Sequence, residues 1–281
     1  NLGGMGTPIG TPPNAFAYKV LNDPTGMNLD ISFGHWMAVM VPLVLVLLII
    51  AWFMLRKLFP FSQKTIELHI EGDVKHNWRS VVVGATFLVT IILWIFGKQI
   101  GINANTVAML PIAVFAFSGV ISAKDLQEID WGVIWMVAGG FALGLAMNGT
   151  GLAKVAVESI PFGSWSPIAI LVISGLVCYF LSNFISNTAT AALLIPILSV
   201  VCNGMGDKLN VIGGDSTILV GIAVAASAAM SLPISTPPNA IAYSTGLINQ
   251  KDMAKTGVLV GVITLALGFS MLILIGKCGL L

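Results

Sequence analysis

The sequence predicts an all-α polytopic membrane protein with an inverted internal repeat, a re-entrant helical hairpin and broken helices. Three observations predict it: very little charge, a series of apolar runs of bilayer-crossing length, and one proline-rich segment that occurs twice. Of the 281 residues, 57% are hydrophobic and 9% are charged, and the mean hydropathy is +0.95. A soluble domain carries about 25% charged residues, so this chain is built for lipid as its solvent. The net charge of +1 gives no field that would gather nucleic acid. The three cysteines (Cys178, Cys202, Cys278) and three histidines (His35, His69, His76) match neither a zinc site nor a disulfide framework.

Runs of about 17–25 apolar residues cross a bilayer as helices, and they give the elements in order. Residues 37–55 are uncharged and end at Arg56-Lys57; residues 80–96 lie between Arg79 and Lys98. Residues 107–121 end before Lys124-Asp125, 132–147 follow Glu128 and Asp130, and 257–275 lie between Lys255 and Lys277. Two stretches depart from this pattern. Residues 166–206 are 41 positions without a charge, too long for one span, with a polar centre of Ser182, Asn183, Ser186, Asn187, Thr188 and Thr190. Residues 216–250 are 35 uncharged positions interrupted by Pro233 and Pro237-Pro238. The chain therefore divides into a broken-helix remnant (1–21), a span with an interfacial segment (22–79), scaffold spans (80–165), the hairpin (166–206) and a second broken helix with the last span (207–281). Trp36, Trp78, Trp131 and Trp165 fall near span ends, as interface anchors do.

Charge placement orients these spans. The segment from Arg56 to Arg79 holds five Lys/Arg and is placed in the cytoplasm. Alternation then puts eight basic residues inside and five outside, with the C-terminus on the non-cytoplasmic side.

The repeat carries the functional reading. Residues 8–18, PIGTPPNAFAY, recur as residues 233–243, PISTPPNAIAY, with nine of eleven positions identical. That is too many for chance similarity of turns. Intervening spans make the copies cross in opposite directions, the signature of an inverted-repeat secondary transporter. Thr-Pro-Pro stops a helix in mid-membrane. Backbone freed there is tolerated only where it is buried or lines a cavity. Carbonyls ahead of Pro12-Pro13 and Pro237-Pro238 suit a small hard cation. The N–H groups and positive dipole of helices resuming at Asn14 and Asn239 suit an anion.

From Ser166 to Leu181 a helix would rise about 24 Å, and from Ala189 to Val201 about 20 Å. Neither crosses a core of about 30 Å, so a hairpin with residues 182–188 at its tip is expected, rather than one tilted helix. No Asp, Glu, Lys, Arg or His lies inside a predicted span. A proton relay or an intramembrane enzyme would need one, so an enzyme is not expected. A bound anion would rest on hydroxyls, amides and dipoles, its charge offset by co-bound cations. This favours sodium over protons.

The Ser186-Asn187-Thr188 tip within SNFISNTATAALLIPI, the two TPPNA segments and the stretch at 129–153 resemble the divalent anion/sodium symporter family, which includes the sodium–dicarboxylate cotransporters. The resemblance implies that Ser186, Asn187 and Thr188, with Thr236 and Pro237, contact a substrate carboxylate. Thr11 and Pro12 would meet the substrate from the other side. Sodium would be held by Ser182, the Ile185 carbonyl, Asn187 and the Ser235 carbonyl, with the Gly10 carbonyl in a second sodium site. It also implies a homodimer, a bacterial inner membrane, and sodium as the co-transported ion with no organic cofactor. Each half of such a transporter has its own hairpin. The spacing between Thr188 and Thr236 would place the first copy's hairpin ahead of Asn1, so the chain is expected to be the C-terminal part of a longer transporter and, by itself, an incomplete one.

The leading expectation is sodium-coupled symport of a small dianion, most plausibly a C4-dicarboxylate such as succinate, malate or fumarate, by alternating access. Within the family, an exchanger of dicarboxylate, citrate or sulfate is the alternative. An ion channel with re-entrant loops is a more distant one, since channels draw on several subunits around one axis rather than on an inverted repeat.

Overall fold

The computed structural model describes residues 1–23, 27–60, 77–128, 165–233 and 235–279, with isolated positions at 131, 135, 142, 146 and 150. The predicted span at 132–147 and most of the interfacial segment lie outside the described residues. Among the described residues every regular element is helical, as an all-α polytopic membrane protein requires. Among the described residues, five helices are long and apolar enough to cross a membrane. The chain forms two compact units, one of Asn1–Ile31, Trp36–Leu55 and Gly132–Leu281, the other of Ser32–His35 and Arg56–Trp131.

The smaller unit holds α3 (Trp78–Phe96), α4 (Ala104–Phe117) and a short α5 (Ala123–Gln127), with α3 packed against α4. Asn77 caps α3 by accepting from the Ser80 amide at 2.9 Å. Ser122 and Asp125 cap α5 reciprocally, which satisfies orphan amides at the helix start. The helix α2 (Phe33–Leu58) ends at Arg56-Lys57, where basic side chains complement its dipole.

The larger unit begins with a 3-10 turn, Leu2–Gly6, followed by α1 (Pro12–Leu21). It continues through α6 (Pro167–Phe184), α7 (Asn187–Met205), α8 (Asp215–Ala228), α9 (Pro237–Ser244) and α10 (Gln250–Lys277). α8 is the hub. It packs against α1, α6, α7 and α10, and every residue from Ser216 to Ala228 is buried. Its sequence is small and apolar on all sides, which is what a helix surrounded by neighbours needs. At 14 residues it rises only about 21 Å before the chain breaks at Ala229.

Small residues bring the backbones together, as in membrane helix pairs. A Cβ on Gly257 of α10 would fall on the Met230 carbonyl, so α10 lies directly against the break that follows α8.

Two expectations are corrected here. Ser182 and Asn183 stay helical, so α6 has 18 residues and α7 with the 3-10 turn after it has 26. Either arm is now long enough to cross, and length alone no longer argues for a re-entrant hairpin. Trp36, read as an interface anchor, is 3% exposed and donates from Nε1 to the Met5 carbonyl at 3.2 Å. Its place near a span end was legible; its partner was not.

Candidate functional site

The first break runs from Thr7 to Thr11. Pro12 and Pro13 open α1, where a missing N–H leaves no helical bond unmade and the fixed φ suits the first turn. Helix resumption therefore starts two residues ahead of Asn14. The Asn14 amide turns back over the break: Nδ2 donates to the carbonyls of Gly4 at 3.1 Å, Met5 at 3.2 Å and Thr7 at 2.9 Å. Asn14 is fully buried. Three acceptors fix the amide's orientation, so Oδ1 faces the other way, buried and without a partner among the described residues.

The second break repeats this. α8 stops at Ala228, and Pro237 and Pro238 open α9. Asn239 Nδ2 donates to the carbonyls of Met230 at 2.7 Å and Leu232 at 3.0 Å. These are the positions in the second copy that match Met5 and Thr7 in the first. The conserved Asn of the two segments is thus an amide clamp on carbonyls that the prolines leave outside a helix. Thr236 caps α9, its Oγ1 accepting from the Asn239 amide at 3.3 Å.

Between α6 and α7 only Ile185 and Ser186 leave the helix, a tighter turn than the seven-residue tip expected at 182–188. Ser186 Oγ accepts from the Ala189 amide at 3.1 Å and starts α7. A capping hydroxyl spends a lone pair and keeps its proton to donate. Ser186 and Thr236 each retain such a donor at a helix N-terminus. Thr188 is buried, Pro12 and Pro238 are exposed, and Asn187 is half-buried.

Two polar atoms at the turn stand out. Among the described residues Asn187 Oδ1 is buried with no hydrogen-bond partner, and Ser182 Oγ is buried with none but the Cys178 thiol. Cys178, one turn before Ser182, offers it only a weakly polar thiol, which itself donates to the Ile222 carbonyl at 3.6 Å. Buried oxygens left this way are costly and are the atoms a small hard cation would take. Apart from the Cys178 thiol, the groups named here are hydroxyls, amides and carbonyls, none of which carries a charge.

Three further residues, none of them given a role in the sequence reading, tie these parts together. Ser227 Oγ, in the last turn of α8, lies 3.1 Å from Thr11 Oγ1. Asn1 Nδ2 donates to Asn239 Oδ1 at 2.9 Å, so the start of the 3-10 turn that leads into the first break reaches the asparagine of the second. Asn183 joins the hairpin to the second break: its Oδ1 accepts from the Ser231 amide and its carbonyl from Ser235 Oγ, both at 3.0 Å. The polar run at 182–190 was the available signal for Asn183. Ser227 gave none, because its role depends on a partner more than two hundred residues away.

Two clamped breaks beside a turn lined with neutral donors and acceptors is the arrangement the comparisons with known proteins bear on. The citrate transporter family (CitMHS) matches residues 1–213. The chain belongs to that family. An uncharacterized transporter of Haemophilus influenzae is 31% identical over 284 residues, covering 94% of this chain and 58% of that protein. The sodium-dependent dicarboxylate transporter SdcS of Staphylococcus saprophyticus is 31% identical over 291 residues, covering 94% of this chain and 54% of that protein. Its namesake in Staphylococcus aureus is 31% identical over 292 residues, with the same coverage. This CitMHS chain thus spans a little over half the length of the curated relatives it matches. The resemblance read from the Ser-Asn-Thr and Pro-Pro-Asn segments leads to the same group of membrane transporters.

Proposed function

We propose that the transporter to which this chain contributes moves a small carboxylate dianion, a C4-dicarboxylate first and citrate second, together with sodium. The reading rests on one observation above the rest: Ser182 Oγ and Asn187 Oδ1, buried and without an oxygen or nitrogen partner among the described residues, flank the turn that carries the Ile185 carbonyl. Those three oxygens, with the Ser235 carbonyl, form a neutral set suited to sodium. The Gly10 carbonyl contributes to a second sodium site at the first break.

The anion is held next to that charge. Ser186, Asn187 and Thr188 supply donors at the start of α7, and Thr236 and Pro237 open α9, where the helix N-terminus favours negative charge. Thr11 and Pro12 approach from the first break. Sodium offsets the dianion's charge and orders the turn, and alternating access then moves the loaded core past a fixed scaffold. The basic segment 56–79 is cytoplasmic and the C-terminus lies on the far side. The working form is a dimer in the bacterial plasma membrane.

The names of the SdcS relatives, which specify sodium dependence and dicarboxylate, support this reading over exchange. Uptake of radiolabelled succinate by the intact protein in proteoliposomes tests it. Replacing external sodium by potassium should remove uptake, and uptake that survives the replacement would overturn the symport reading.

A further inference from the structure

The proposed cation set is split between two elements. Ser182 Oγ, the Ile185 carbonyl and Asn187 Oδ1 lie on the hairpin, and the Ser235 carbonyl lies on the second break. Cation affinity therefore depends on what fixes one element against the other, because ligands held in place bind more tightly than ligands that must be gathered.

We infer that Asn183 is the positioning residue that fixes the hairpin to the second break and thereby sets sodium affinity, an inference that rests on the sodium reading above. Asn183 is 7% exposed and uses its polar groups on both elements. Nδ2 donates to the Tyr179 carbonyl at 2.9 Å, which anchors the side chain to α6. Oδ1 accepts from the buried Ser231 amide at 3.0 Å, and the main-chain carbonyl accepts from Ser235 Oγ at 3.0 Å. The two crossing bonds thus reach Ser231 and Ser235, at either side of the bend. Ser235 Oγ also accepts from the Leu232 amide at 3.2 Å, so the strap is continuous with the break's own backbone.

Position gives Asn183 its leverage. It follows Ser182 directly and lies two residues before Ile185, and its strap ends on the residue whose carbonyl completes the set. Its own side-chain oxygen is occupied by the Ser231 amide, so it acts through other residues rather than on the ion. Around the strap, Asn239 clamps Met230 and Leu232, α10 lies against the Met230 carbonyl at Gly257, and the Tyr179 hydroxyl of α6 lies 3.5 Å from Ser231 Oγ, the longest of the contacts between α6 and the break. A residue serving only as helix-packing glue would change the amount of folded protein and leave the sodium dependence of what folds untouched.

The test is the sodium dependence of succinate uptake by the intact protein in proteoliposomes, wild type beside Asn183→Ala. Loss of an outer partner of a metal ligand typically lowers metal affinity 10–100-fold. The half-saturating sodium concentration should rise about tenfold, with the maximal rate at saturating sodium near that of wild type. Ser235→Ala removes one of the two crossing bonds and keeps the carbonyl, so it should shift the same parameter less. The double variant should fall short of the product of the two single effects, because both act on one strap. An unchanged sodium dependence in Asn183→Ala would overturn the inference. If that variant does not fold, an unchanged sodium dependence in Ser235→Ala would overturn it. Wild-type uptake that persists in potassium would instead remove the sodium reading itself, so the two failures are distinct.

Discussion

The two Thr-Pro-Pro-Asn breaks share nine of eleven residues and one asparagine clamp, yet they differ in their other bonds and in their surroundings. In both, an asparagine amide reaches back to the same two carbonyl positions, Met5 and Thr7 or Met230 and Leu232. The differences begin one contact further out. Phe16 is fully buried while Ile241, its counterpart, is 69% exposed. Asn239 Oδ1 accepts from Asn1, whereas Asn14 Oδ1 has no partner among the described residues. Position 226, which matches Asn1, is an alanine and has no amide to offer. Thr236 caps its helix, whereas Thr11 faces Ser227. A shared motif thus dictates how a break is folded, and the non-shared neighbours dictate what the break touches.

That contrast can be broken by exchanging or deleting equivalent residues. The largest effect is expected at the clamps. Asn14→Ala removes a donor from three carbonyls, of which Met5 keeps Trp36 Nε1 and Thr7 keeps the Gly10 amide, so the loss falls on the Gly4 carbonyl and the emptied buried position, at about 1–3 kcal/mol for a group left unsatisfied. Asn239→Ala acts at a half-exposed position and should cost less. Thermal unfolding of the purified intact protein would show the difference, and equal losses would mean that the two clamps are equivalent after all.

Next comes the exchange at Gly10 and Ser235, one of the two non-identical positions. A Cβ on Gly10 would fall onto the Gly4 carbonyl, so Gly10→Ser should destabilise by about 1–3 kcal/mol, as overpacking does. The reverse change, Ser235→Gly, creates no overlap and loses only the hydroxyl bonds to Asn183 and Leu232, on the order of 1 kcal/mol. Unfolding midpoints in one detergent check the order, and a reversed order would contradict the turn geometry. The smallest effect is at the caps. Thr236→Ala removes a helix cap and should cost about 0.5–2 kcal/mol. Thr11→Ala removes no cap, and its stability should stay closer to wild type.

Much of this was legible in the sequence. The helix breaks at Thr11-Pro12 and Thr236-Pro237 follow from proline chemistry, and the turn before Asn187 follows from polar residues in an apolar run. What escaped were contacts created by folding. Trp36 looks like any interfacial tryptophan until Met5 is brought beneath it. Asn183 looks like one more polar residue until Ser231 and Ser235 arrive. The polar run suggests hairpin arms that stop before Ser182 and Asn183, yet both residues are buried within the last turn of α6, where polarity and helicity coexist.

The central claim is that the oxygens left without partners at the α6–α7 turn serve sodium and substrate rather than the fold. Sodium-driven succinate uptake by Asn187→Ala in the intact protein tests it most directly. Asn187 Oδ1 is buried with no partner among the described residues and therefore adds no hydrogen bond to the fold there, so the variant should unfold at a temperature close to wild type while uptake is lost. Wild-type uptake by that variant would contradict the account.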